Sequence, residues 1–152
     1  MRSVHPTRPL GRLAKAAIAL DIFLAIGAFG GGLALMLGPR GEIIPLKVAT
    51  LSGSPFDTFF VPGLILFVIL GFGPLAAAAL VWLRQPLAPV ATVVVGAGLL
   101  IWLAVEIVIV GYTSDPPLQP FYLLVGAVIT VVGLGWLVET APSEQAHRVQ
   151  PR

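Results

Sequence analysis

Four long apolar stretches, residues 16–37, 61–83, 88–112 and 121–138, fill most of the chain and carry almost no charge. At ~1.5 Å rise per residue each is long enough, as a helix, to cross a hydrocarbon core of ~30 Å. The pattern predicts an all-α fold, a four-helix transmembrane bundle in one domain spanning residues 1–152. The polar positions fall between the stretches and in the two tails. Residues 1–12 contain Pro6 and Pro9 and read as a surface tail.

The connections carry turn chemistry. Loop one, 38–53, opens on Gly38-Pro39-Arg40-Gly41, a turn signal, and continues into the amphipathic segment Glu42–Val48. Ser54-Pro55-Phe56-Asp57 predicts a helix start, with Ser54 as cap, Pro55 in the first turn and Asp57 closing a capping box. Loop two is only Arg84-Gln85-Pro86-Leu87, which makes spans two and three antiparallel neighbours. Loop three, 113–120, is stiffened by Asp115-Pro116-Pro117 and Pro120. Within span two, Gly71-Phe72-Gly73-Pro74 predicts a kink, because Pro74 cannot donate to the Leu70 carbonyl and its ring crowds that group.

Composition agrees with the pattern. Mean hydropathy is +0.98, and only 11% of residues are charged against ~25% in soluble domains. Cysteine is absent. That excludes disulfide exchange, thiolate nucleophiles and thiolate-held metals, and with them the quinone-linked thiol oxidases that use small four-span bundles. The first stretch follows Arg2, Arg8, Arg12 and Lys15 but exceeds the ~7–15 residues of a signal h-region, so an uncleaved span is expected.

Seven of the nine basic residues (Arg2, Arg8, Arg12, Lys15, Arg84, Arg148 and Arg152) lie in the tails or loop two. Arg40 and Lys47 lie in loop one, and loop three has none. This bias predicts a multi-pass protein of the cytoplasmic membrane with both termini in the cytoplasm. Tyr112 and Tyr122 then mark the outer boundary, and Trp82 and Trp136 the inner one. A pI near 9.5 is explained by these topology charges, without a nucleic-acid patch. The bilayer is the expected partner, with a second copy or another membrane protein as further candidates.

Gly53-Ser54-Pro55-Phe56, Phe60-Val61-Pro62-Gly63-Leu64-Ile65-Leu66 and Leu118-Gln119-Pro120-Phe121-Tyr122 resemble a set of small bacterial four-span membrane proteins, over about residues 53–137. The resemblance implies a compact bundle in a cytoplasmic membrane and carries no established activity or functional residues. Where it leads one to expect an amide in span three, this chain has Glu106.

Two acids lie inside spans. Charged groups at mid-membrane cost ~2.5–3.5 kcal/mol on insertion scales, so they usually face protein or water. At 100° per residue Asp21 shares a stripe with Ala14, Ala17, Ala25, Ala28 and Gly32, which predicts a tight helix contact, with Arg84 as a candidate partner. Gly27 and Gly31 offer a second small face. Glu106 lies two turns from the outer end of span three, on a face with Thr92, Val95, Leu99, Trp102 and Val110, and is expected to be hydrogen-bonded within the bundle. The two acids are expected at depths ~13 Å apart, too far for a carboxylate dyad. Thr130, between Gly126 and Gly133 on its stripe, is expected to bond its own helix. His5 and His147 are isolated, so no metal site is expected, and no motif implies a cofactor or a catalytic residue. The leading functional reading is a non-enzymatic structural or accessory bundle. The alternatives are a proton- or solute-linked transport component using Asp21 and Glu106, and a membrane enzyme with Glu106 beside Trp102.

Overall fold

The computed structural model describes residues 10–112 and 117–141. Four helices, each long and apolar enough to cross a membrane, account for most of them: α1 (Arg12–Leu37), α2 (Phe60–Trp82), α3 (Ala88–Val110) and α4 (Leu118–Thr140). Loop one adds a 3-10 turn, Val48–Leu51. The tail residues Arg2, His5, Arg8, His147, Arg148 and Arg152, and Asp115 and Pro116 of loop three, lie outside the described residues. α1 and α4 run past their apolar stretches, to Arg12 and Thr140. Hydropathy marks where lipid contact can begin, whereas the backbone ladder continues until a turn interrupts it.

Consecutive helices are neighbours. α1 packs along the whole of α2, α2 meets α3, α3 pairs most extensively with α4, and α4 returns to α1. Both the outer face and the core face of this bundle are apolar, so packing has to distinguish them. It does so through small residues. The buried positions of α1 are Ala14, Ala17, Asp21, Leu24, Ala25, Ala28 and Gly32, the predicted stripe with Leu24 added. The second small face is also used inside the chain. Gly27 lies under the Tyr122 hydroxyl, and Gly31 lies against Leu66.

Two crossings depend on missing side chains. A Cβ on Gly32 would stand 2.7 Å from the Gly63 carbonyl oxygen, and one on Gly63 2.9 Å from the Gly32 oxygen, so α1 and α2 meet backbone to backbone. Between α3 and α4, a Cβ on Gly96 would collide with the Thr130 hydroxyl and stand 2.6 Å from the Thr130 nitrogen. That hydroxyl donates to the Gly126 carbonyl at 2.8 Å, as expected of a threonine bonded within its own helix.

The interior of α2 departs from a plain kink. Residues Leu66–Phe72 form a π-helical stretch, and α-geometry resumes at Gly73 with Pro74 in its first turn. Widening the turn ahead of a proline accommodates its ring and missing N–H without ending the helix. Pro74 is fully buried. Phe67 and Phe72 of the stretch pack edge to face with each other and with Phe29 of α1, centroids 4.9–5.9 Å apart, and the Phe29 ring rests on Gly71.

The predicted helix start at Ser54 is corrected. Ser54 Oγ accepts from the Phe56 N–H at 3.2 Å, a turn that uses up the would-be cap, and Asp57 closes no capping box. The helix begins at Phe60. Phe59 is buried, and its N–H donates to the Pro39 carbonyl at 2.9 Å, tying the two ends of loop one together. Loop two closes as predicted. The Gln85 N–H donates to the Leu80 carbonyl and the Arg84 N–H to that of Val81, with Arg84 at φ 55°. This is a Schellman ending with arginine where glycine is usual.

Close packing of the α1 stripe predicts that Ala25→Leu lowers thermal stability by ~1–3 kcal/mol, although hydropathy favours leucine. Ile26→Leu, on the exposed side of the same turn, should be neutral. Equal melting of the Ala25 variant and its parent in detergent would show that the stripe is not a contact. For the α3–α4 crossing, Gly96→Ala should destabilise. Gly98→Ala, where no atom lies within 4 Å of the added Cβ, should be neutral or stabilising by up to ~1 kcal/mol. Thermal melts of the two variants separate close approach from helix propensity.

Candidate functional site

Asp21 sits on the buried face of α1 with an exposure of 0%. The small side chains that let α1 approach its neighbours leave it no route to solvent. Leu24, Ala28 and Ala77 belong to a core cluster toward one end, and Ala14, Ala17, Val81 and Ala88 form another toward the end bearing Arg84. Thr92 of α3 stands beside the carboxyl. Its hydroxyl, however, donates to the Ala88 carbonyl at 3.1 Å, and both Asp21 oxygens are buried without a hydrogen-bond partner. An unsatisfied buried carboxyl disfavours the fold by several kcal/mol in a low-dielectric setting. The expected pairing with Arg84 is not made; Arg84 is exposed in the turn.

Glu106 occupies a different environment. It is half-buried near the end of α3. Gln119, buried in the first turn of α4, donates through Nε2 to Glu106 Oε1 at 3.1 Å and to the Gly111 carbonyl at 3.1 Å. Gly111, at φ 85°, closes α3. One amide therefore ties the acid of α3, the end of the same helix and the start of α4. The expectation that Glu106 is hydrogen-bonded within the bundle describes this arrangement. Trp102, one turn away, is half-buried against the core cluster.

The two acids are further apart than expected. Asp21 lies level with Thr92, and Thr92 is fourteen residues before Glu106 on α3, which is about 21 Å along a straight helix rather than ~13 Å. No carboxylate dyad forms. Thr92, read from sequence as part of the Glu106 face, belongs to the Asp21 environment. Thr130 is at the α3–α4 crossing and touches neither acid's hydrogen bonds.

Gln119 is the residue that sequence reasoning missed. A signal was present: an amide opening span four, close across a short loop to an acid near the end of span three. The pairing of Thr92 with Asp21 had no such signal, because the two are far apart in sequence and the register of α1 against α3 is set by packing. Among the described residues no three of His, Asp and Glu gather as a metal site. Two open grooves flank the last turn of α2, and Glu106 lines neither.

No family model, no curated protein and no solved structure matches the chain.

Proposed function

We propose that the chain is a multi-pass integral protein of the cytoplasmic membrane, with both termini cytoplasmic, whose bundle is a non-enzymatic structural or accessory unit. The observation that carries this reading is the use made of Glu106. Its carboxyl accepts from Gln119 across two helices, which is the work of a tie between α3 and α4. Apart from Asp21 and Thr92, the buried positions are mostly glycine, alanine and aliphatic side chains, and the helices cross at close backbone approaches. Large apolar side chains cover the outside, among them Ile26, Val94, Ile101, Val108 and Val131, each suited equally to lipid or to the helix of a partner. A second copy or another membrane protein is the partner class this surface fits.

A second reading, a proton- or solute-linked transport component, is favoured by Asp21. Ionisable groups inside spans are costly and usually mark a function, and this one has no structural partner to explain it. The reading assigns the work to Asp21 alone, since Glu106 is far from it and already engaged.

Topology is tested by fusion. Alkaline phosphatase joined after Val48 or Pro117 should be active and after Gln85 inactive; the reverse pattern would overturn the orientation. Glu106→Gln keeps an acceptor for Gln119 and should fold and melt like the parent. Gln119→Leu strips a donor from Glu106 and Gly111 and should cost ~1–3 kcal/mol in a detergent melt. Asp21→Asn separates the two functional readings. Unchanged cation-driven pH change in proteoliposomes of parent and variant supports the accessory unit. A flux present in the parent and lost in a normally folded variant supports transport.

A further inference from the structure

At the Arg84 end of the bundle two grooves open side by side around the last turn of α2. One, of about 370 Å³, is wholly apolar, running between α1 and α2 along Ile18, Ile22, Leu75, Ala79 and Trp82 to Leu83. The other, of about 380 Å³, is reached from Val81 and the turn that ends α2. Arg84 and Gln85 line it together with Gly11, Pro89 and Trp136, so its lining mixes polar and apolar groups.

The charges around this end are of one sign near the grooves. Lys15 is exposed, one turn before Ile18 and two before Ile22 on the same side of α1, and Arg12 is exposed a turn earlier. Neither groove has an acidic lining residue. Among the described residues Glu139 is the acid of this end, and it lines neither. Arg12, Lys15 and Arg84 make no ion pair with a described residue. Arg84 also occupies a left-handed backbone position that glycine adopts without strain. With the backbone turned this way, the Arg84 side chain stands exposed at the groove it lines.

We propose that the paired grooves form a binding site for an anionic phospholipid. The phosphate lies in the polar groove at Arg84 and Gln85, with Lys15 exposed one turn from Ile18 on the side of α1 that lines the apolar groove. One acyl chain lies in the apolar groove between Ile18, Ile22, Leu75 and Ala79. Trp82 and Trp136 flank the headgroup level, where an indole suits a mixed environment. Arginine matches a phosphate with parallel N–H donors, and basic pockets between spans on the cytoplasmic side favour anionic headgroups. The chemistry commits the site to a lipid rather than free phosphate, because half of its lining is apolar and continuous with the bundle's outer surface.

The inference rests on the membrane placement proposed above, and recovery of the full chain in the membrane fraction checks that placement separately. The test is titration of delipidated protein in detergent with phosphatidylglycerol, phosphatidylcholine or inorganic phosphate, read by thermal stability and native mass spectrometry. Phosphatidylglycerol should bind about 30-fold tighter than phosphatidylcholine, the effect expected of two basic side chains. Arg84→Gly should melt no lower than the parent yet lose most of that preference, and Lys15→Gln should lose part of it. Ala79→Phe, which fills the apolar groove, should weaken both lipids with little change in fold. Equal affinity for the two lipids in membrane-recovered protein would overturn the site. So would competition by inorganic phosphate that is indifferent to Ala79→Phe, or a dimer that Ala79→Phe dissociates.

Discussion

Close approach of helix backbones is the constraint on which this bundle depends. For helices apolar enough to cross a membrane, an apolar solvent would offer no gain from burying a leucine, and cohesion would have to come from contact itself. Contact is greatest where no side chain intervenes. Gly32 against Gly63, and Gly96 against Thr130, bring the chains together to distances that a single methyl group would prevent. The alanine stripe of α1 extends the same logic along a whole helix. Everything polar in the interior is placed relative to these seams. Asp21 is enclosed because its neighbours are too small to hold α1 away, and Gln119 reaches Glu106 because α3 and α4 are already close.

Much of this architecture was legible in the sequence. Length and hydropathy predict four helices, and a 100° projection brings Asp21, Ala14, Ala17, Ala25, Ala28 and Gly32 onto one face. Small residues are informative in so apolar a chain because hydrophobicity does not distinguish inside from outside. The segment before span two misled. Ser54, Pro55 and Asp57 have the spacing of a capped helix, but a serine hydroxyl satisfied two residues on is equally consistent with that spacing, and the turn was formed instead. Pro74 signalled a disturbance in α2 without specifying its form. A proline demands that a turn be opened, and whether the opening is a bend or a π-helical stretch depends on Phe29, Phe67 and Phe72 packed around it. Of the candidate site, the two acids and Trp102 could be named in advance, while their partners could not, since those depend on how one helix is registered on another.

The polar groups inside the bundle therefore divide by what surrounds them. Glu106 has a donor and a place in the architecture. Thr130 and Thr92 return their hydroxyls to their own helices, which removes them as independent polar sites. Asp21 is the exception, enclosed by packing and answered by nothing. At the opposite end from the Glu106 tie, the turn at Arg84 is held by backbone hydrogen bonds alone, leaving its side chain outside the interior.

The tie made by Gln119 has a consequence for how the chain can be cut. α3 and α4 are joined at two places among the described residues, once along the Gly96 crossing and once where the amide grips both Glu106 and the carbonyl that ends α3. The peptide link between them fixes their order, and these contacts add to it. A chain severed in that loop would yield a three-helix fragment and a single helix that already carry the means to recognise each other. The last span thus carries its own docking contacts to the helix before it.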